Sequence, residues 1–196
     1  MSTAAASVPL TNTEAEAIVR PLSTWAYSVD ISWAHLARAL KNYAADYGLN
    51  LDPDYQRGRV WTQQQQVHYL ENVFRGLVPA ETMVIQWACP HWDDHLYAGE
   101  LPREMQILDG LQRLTTALRY LDGELRPFGR SVDDFKGTQY DVSVRSRWRF
   151  RFGIHAFQTR EALLSHYLDL NTGGTPHSEA EIARVRSLLE GAQGRA

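Results

Sequence analysis

The sequence predicts an α/β fold on three observations. Apolar residues recur at helical spacing in several windows, and short strand-like runs bounded by turn residues lie between those windows. One such run, Glu104 to Leu108, passes through Asp109 and Gly110 straight into an amphipathic helix. With 196 residues, 44% of them hydrophobic, the chain can bury one sizeable core and is short for two. The reading is a single domain over residues 21–190, between mobile tails at 1–20 and 191–196, where Ala, Ser, Thr and Gly show little apolar patterning.

Asp30-Ile31-Ser32 offers a cap for a first helix in which Trp33, Leu36, Leu40, Tyr43 and Tyr47 recur on one face, with Gly48 as its stop. Pro53 and Gly58 then deny regular structure to an extended, polar-edged segment from Leu49 to Arg57. Thr62 caps a second helix, Gln63 to Arg75, with Val67, Leu70, Val73 and Phe74 inward and Gly76 at its end. Thr82 to Ala88 and Glu104 to Leu108 read as a hairpin-like pair of strands, and Leu114, Ala117, Leu118 and Leu121 form the buried stripe of the helix that follows. Gln139 to Gly153 reads as a strand whose Arg145, Arg147, Arg149 and Arg151 share one face, with Trp148, Phe150 and Phe152 on the other. Thr159 opens a further helix with Leu163, Tyr167 and Leu170 inward, which breaks at Asn171-Thr172-Gly173-Gly174, and Ser178 with Glu181 forms a capping box for the last helix.

Charge and cysteine content narrow the function classes. A net charge of −3 argues against coating nucleic acid by bulk electrostatics, so any DNA contact is local. No apolar run approaches the length of a membrane-spanning helix, no leader precedes a cleavage site, and Cys89 is the only cysteine, which together point to the cytoplasm.

The chemistry concentrates at Ile107-Leu108-Asp109-Gly110-Leu111-Gln112-Arg113-Leu114-Thr115-Thr116. A helix N-terminus presents free N–H groups to an anion, Gly110 permits the sharp turn, and an arginine one turn in reaches a phosphate in bidentate fashion. Thr115 and Thr116 add hydroxyls suited to phosphate or to a magnesium-bound water. The bland alternative makes Asp109 a helix cap and leaves Arg113 in solvent.

Three stretches together carry a resemblance. Pro53-Asp54-Tyr55-Gln56-Arg57-Gly58-Arg59-Val60-Trp61 looks like a P-x-F-Q-R-x-Y-x-W segment, Asp109 to Thr116 looks like D-G-Q-Q-R-L-T-T, and Tyr167 to Pro176 with Glu179 looks like an Asn-x-x-Gly pattern closed by a glutamate. Their order and spacing resemble the N-terminal domain of GmrSD-type modification-dependent restriction enzymes, in the ParB/sulfiredoxin-like superfamily, over about Asp30 to Leu189. The resemblance implies an α/β (α+β) fold with a small mixed sheet flanked by helices. It also implies a domain that binds a nucleoside triphosphate with Mg2+, hydrolyses it as a candidate NTPase, and gates a DNA nuclease in restriction-modification and phage defence. Carried across, Asp109, Gln112 and Arg113 become the catalytic groups. Gln56, Arg57, Gly110, Arg113, Thr115, Thr116, Asn171 and Gly174 become the nucleotide-binding set.

The sequence departs from that pattern at Leu111, in place of the first glutamine, and at Arg59, in place of an aromatic residue. No room is expected for an HNH-type nuclease before Ala196. Two alternatives stay open: a non-catalytic module that acts through DNA, a protein partner or a homodimer, and a standalone ParB-like nuclease. The arginines at 145, 147, 149 and 151 are the nucleic-acid candidates, against a structural reading as a charged sheet edge. Cys89, His91, Asp93, Asp94 and His95 carry metal-ligand chemistry, but their spacing matches no closed zinc site, and a solvated loop without a metal is the expectation.

Overall fold

The computed structural model describes residues 10–172 and 179–194. The elements that build the core are β1 (Tyr27–Ser32), α2 (Leu36–Tyr47), β2 (Leu49–Asn50), α3 (Gln63–Arg75), β3 (Val84–Ala88), β4 (Met105–Asp109), α4 (Leu111–Leu121), β5 (Arg149–His155), α5 (Arg160–Thr172) and α6 (Glu179–Gln193), preceded by the helix α1 (Asn12–Val19). The five strands form one mixed sheet in the order β1-β5-β3-β4-β2. β1 runs antiparallel to β5 and β4 antiparallel to β3, while β5 with β3 and β2 with β4 are parallel. The α/β expectation holds, with the sheet both mixed and small.

Strand alternation distributes two cores. Met105 and Ile107 of β4, Ile85 and Trp87 of β3, and Phe150, Phe152 and Ile154 of β5 pack against the apolar stripes of α2, α3 and α4. Ala88 of β3 and Leu108 of β4 face the other way and join Tyr55, Leu163, Leu164 and Tyr167 of α5 and Val185 of α6. Helices therefore cover both faces, and the polar turn at Asp109 to Arg113 emerges between the two layers.

Local signals explain the best-defined helix. Thr62 and Gln65 form a reciprocal capping box at the start of α3, and Gly76 ends it in the left-handed region. α4 begins one residue earlier than its stripe requires, at Leu111, directly after Gly110. β3 and β4 pair as expected, although residues 89–104 separate them, so they are not a tight hairpin.

Several expectations change. Residues 30–32 form the end of β1, and Ser32 is the N-cap, without a side-chain hydrogen bond, of a short 3-10 turn at Trp33–His35 that leads into α2. Within the expected N-terminal tail, Thr11 and Glu14 cap α1, which buries none of its residues; residues 1–9 lie outside the described set. At the other end α6 continues through Gln193. Ser178 of the expected capping box falls outside the described residues. The expected strand over 139–153 exists only from Arg149 onward. The Asp141 carboxylate accepts from the Gly137 and Ser143 N–H groups and from the Ser143 hydroxyl, which holds the preceding chain in turns.

The segment before β1 is fastened to the sheet through Trp25. Its ring lies where a Cβ on Gly153 would stand, only 2.3 Å from the nearest ring atom. Its Nε1 donates to Gln86 Oε1 at 3.3 Å, and the same oxygen lies 3.0 Å from His155 Nε2. Ser23 Oγ lies 3.5 Å from His155 Nδ1.

Candidate functional site

A cleft of about 290 Å³ opens at the N-terminus of α4, lined by Gln56, Arg57, Trp61, Asp109, Gly110, Leu111, Gln112, Arg113, Leu170 and Asn171. Three parts of the chain build it, and each is fixed by identifiable contacts. The floor is the β4–α4 turn. Gly110 has φ +95°, and a Cβ there would stand 2.6 Å from Ile85 Cδ1 and 3.0 Å from the Val84 carbonyl oxygen, so glycine is required on both conformational and steric grounds. Gly110 is also the N-cap and supplies no side-chain acceptor, which leaves the first-turn N–H groups of α4 directed at the cleft.

The second wall is the extended segment from Pro53 to Trp61. Gln112 staples it: its Nε2 donates to the Gly58 carbonyl at 2.9 Å, and its Oε1 accepts from the Val60 and Trp61 N–H groups at 3.1 and 3.2 Å. Gln56 Nε2 donates to the Leu108 carbonyl at 3.3 Å, while its Oε1 accepts from the Arg57 N–H and from the Tyr167 hydroxyl. Burial lifts the Tyr167 phenol to about 12, so it stays protonated and remains the donor. Arg184 of α6 donates to the carbonyls of Asp54, Tyr55 and Gln56 from the far side. The third wall is the end of α5, where Asn171 Nδ2 donates to the Tyr167 carbonyl at 2.7 Å.

The charges in this cleft are unequal. Arg113 Nη2 pairs with Asp109 Oδ2 at 2.5 Å and also donates to the Val84 carbonyl at 3.0 Å. Its Nε is buried without a hydrogen-bond partner among the described residues. Arg57 has no ion-pair partner among the described residues. Among the described residues two guanidinium groups and a helix N-terminus thus face a single carboxylate, an arrangement that attracts an anion.

The structure brings Asp109, Gly110, Gln112, Arg113, Gln56, Arg57 and Asn171 to one cleft. It does not bring Thr115 or Thr116 there. Both are buried, and their hydroxyls donate back to the helix carbonyls of Leu111 and Gln112. Gly174 lies outside the described residues. Trp61, the last residue of the Pro53–Trp61 motif, also lines the cleft; its even spacing from Arg57 along an extended segment is the sequence signal for that placement.

The four arginines do not share a strand face. Arg149 and Arg151 both pair with Asp30 of β1, at 3.1 and 2.9 Å. Arg145 and Arg147 precede β5, and the Arg147 guanidinium lies over the Trp148 ring at 4.0 Å. The loop after β3 is buried where it leaves the strand and solvated beyond it, with Asp93, Asp94 and His95 exposed as expected. His91 is buried beside Cys89, Trp92 stacks on Tyr47 at 4.7 Å, and burial pushes the Cys89 thiol up to about 12. Among the described residues no group of three or more His, Cys, Asp or Glu stands together as metal ligands. No helix among them is long and apolar enough to cross a membrane.

Residues 36–169 match the family model of the GmrSD restriction endonuclease, N-terminal domain. The chain belongs to this family. The region matched to the GmrSD N-terminal domain runs from the start of α2 into α5 and contains every cleft residue except Leu170 and Asn171. Comparison with curated proteins gives no match, and comparison with solved structures gives none either.

Proposed function

We propose that this GmrSD-type domain binds a nucleoside triphosphate in the α4 cleft and acts as a regulatory module in DNA restriction and phage defence. The observation that carries the reading is the uncapped α4 N-terminus, open to a cleft that also holds the unpaired Arg57. In this reading the first-turn amides and Arg57 hold phosphate oxygens, and the Asp109–Arg113 pair opens as the triphosphate enters. Trp61, half-buried at the rim, offers a flat apolar face to the base.

The donor set suits Mg2+, which is commonly held by one or two carboxylates and completed by phosphate oxygens and water. Asp109 is the one carboxylate among the described residues that line the cleft, and it would hold the ion. The ion would neutralise phosphate charge. Arg113, once parted from Asp109, turns its guanidinium to the same charge. Gln112 spends its amide on backbone groups of the second wall, so it positions the cleft and leaves Asp109 as the side chain able to orient a water. That commitment favours slow turnover, and a second reading in which binding alone is the signal.

The test is calorimetric titration with each ribonucleoside triphosphate and Mg2+, run beside a phosphate-release assay. Arg57→Ala is the informative variant because, among the described residues, the Arg57 side chain makes no ion pair. Loss of charge-assisted hydrogen bonds predicts roughly ten- to hundredfold weaker binding at unchanged stability. Wild-type protein that binds none of the triphosphates, or an Arg57→Ala variant with full affinity, refutes the phosphate site. Binding without release selects the second reading.

A further inference from the structure

Near the far end of α4, an eleven-residue helix roughly 16 Å long, where Tyr120 meets Phe74 at 5.5 Å, lies a second concave surface. It is a groove of about 320 Å³ lined by Phe74, Arg75, Phe128, Arg130, Phe135 and Tyr140. A shallower depression continues from it past Arg130, Phe135 and Tyr140.

Phe128 is its most unusual member. It has φ +55° and ψ +23°, the left-handed region that a bulky residue occupies only at a cost. Its N–H is held there by Glu71 Oε1 at 2.9 Å. The ring remains 45% exposed, with the Arg75 guanidinium 5.7 Å from its centroid. The fold therefore bears backbone strain and an exposed aromatic ring at one residue, and neither is offset by burial in the core. At Tyr140, another ring that lines the groove, the Arg147 guanidinium lies 5.3 Å from the ring centroid.

The charge around the groove is strongly local. None of Arg75, Arg126, Arg130 and Arg147 has an ion-pair partner among the described residues. The nearby acids are occupied. Glu71 accepts from Phe128, Asp133 pairs with Lys136, and Asp134 accepts from Ser131. Hydrogen bonds from Ser131 are the main cause holding the Asp134 carboxyl below its usual range, with Arg130 and Arg126 contributing through their charge. A protein of net charge −3 thus concentrates unpaired arginines around one exposed ring, Phe128, and the half-buried rings of Phe135 and Tyr140.

We propose that this groove binds single-stranded DNA, with unpaired bases stacking on Phe128 and its aromatic neighbours while Arg75, Arg130 and Arg147 take the flanking phosphates. Charge complementarity selects a polyanion, and the exposed Phe128 ring beside the half-buried Phe135 and Tyr140 favours one whose planar groups are free to stack over a paired duplex. The groove lies away from the triphosphate cleft and stands independently of it; only the choice of DNA over RNA rests on the restriction reading.

The test is fluorescence anisotropy of the full chain with a labelled oligothymidylate of about twelve nucleotides, a site size ordinary for such grooves. Duplex DNA and oligouridylate of the same length form the other arms. The wild-type protein should prefer the single-stranded DNA. Phe128→Gly relieves the positive φ while deleting the stacking ring, so it should bind roughly tenfold more weakly in a protein whose melting temperature is maintained or raised. Arg75→Ala with Arg130→Ala should reduce the log–log salt slope by roughly 1.4, the value for two phosphate contacts on a single strand. Arg113→Ala should leave oligothymidylate affinity unchanged, because that residue lies at the other end of α4. The proposal is overturned if oligothymidylate does not bind, if duplex or oligouridylate binds more tightly, or if Phe128→Gly retains full affinity. A loss caused by Arg113→Ala but not by Phe128→Gly would place the oligonucleotide in the cleft and also overturn it.

Discussion

Replacing Gln112 by leucine removes the side chain that joins the start of α4 to the wall carrying Arg57. Three hydrogen bonds are lost, one to the Gly58 carbonyl and two from the Val60 and Trp61 N–H groups. Each is worth about 1 kcal/mol net, and leucine preserves helix propensity and approximate volume. Val60 is exposed, so its N–H can turn to water, whereas Trp61 is half-buried and its N–H cannot do so as easily. The expected loss is therefore about 2 kcal/mol rather than the full sum. Urea unfolding should show a lower midpoint at an unchanged slope. Hydrogen exchange should show the Val60 and Trp61 amides opening faster than amides elsewhere, since the Gln112 carboxamide oxygen is their acceptor. Triphosphate affinity should fall with them. Unchanged exchange at those two amides would refute the reasoning, because the wall would then be held by Gln56 and Arg184 alone. Normal stability and exchange with lost phosphate release would instead give Gln112 a direct part in the chemistry.

Two further outcomes follow from burial and backbone geometry. Gly110→Ala places a Cβ in the left-handed region and against Ile85 and the Val84 carbonyl, and should cost about 3 kcal/mol and reduce triphosphate binding; an unchanged melting temperature would contradict this. Burial first, and the neighbouring His166 second, lower the His155 pKa from 6.5 to about 4, so the unfolded chain binds the extra proton more readily than the folded one. Stability should be full above about pH 6.5 and fall as the pH drops toward 4, by at most about 3 kcal/mol, and a pH-independent urea midpoint across that window would refute it.

How much was legible depended on how local the determinant was. The α3 boundaries follow from Thr62, Gln65 and Gly76, all within the helix or beside it, and the β4–α4 turn is marked by Asp109 and Gly110. β1 escaped because Asp30-Ile31-Ser32 reads as a cap in isolation, whereas its partners Arg151, Phe150 and Arg149 lie far along the chain. The arginine strand was overextended because period-two alternation continues through residues that Asp141 holds in turns. At the cleft, the motif residues converge as their spacing suggests. The roles of Gln112 and Arg184 depend on which distant carbonyls they meet, and no local pattern encodes that.

The bridge among Trp25, Gln86 and His155 also fixes a proton. An indole nitrogen only donates, so the Gln86 atom facing Trp25 must be the carbonyl oxygen. That same oxygen meets His155 Nε2 and can only accept there, so the neutral imidazole carries its hydrogen on Nε2 and presents a bare Nδ1 to the Ser23 hydroxyl. One glutamine orientation thereby selects a single tautomer of a buried histidine and gives a polar direction, from serine through imidazole to amide, to the joint that ties the segment before β1 to the centre of the sheet.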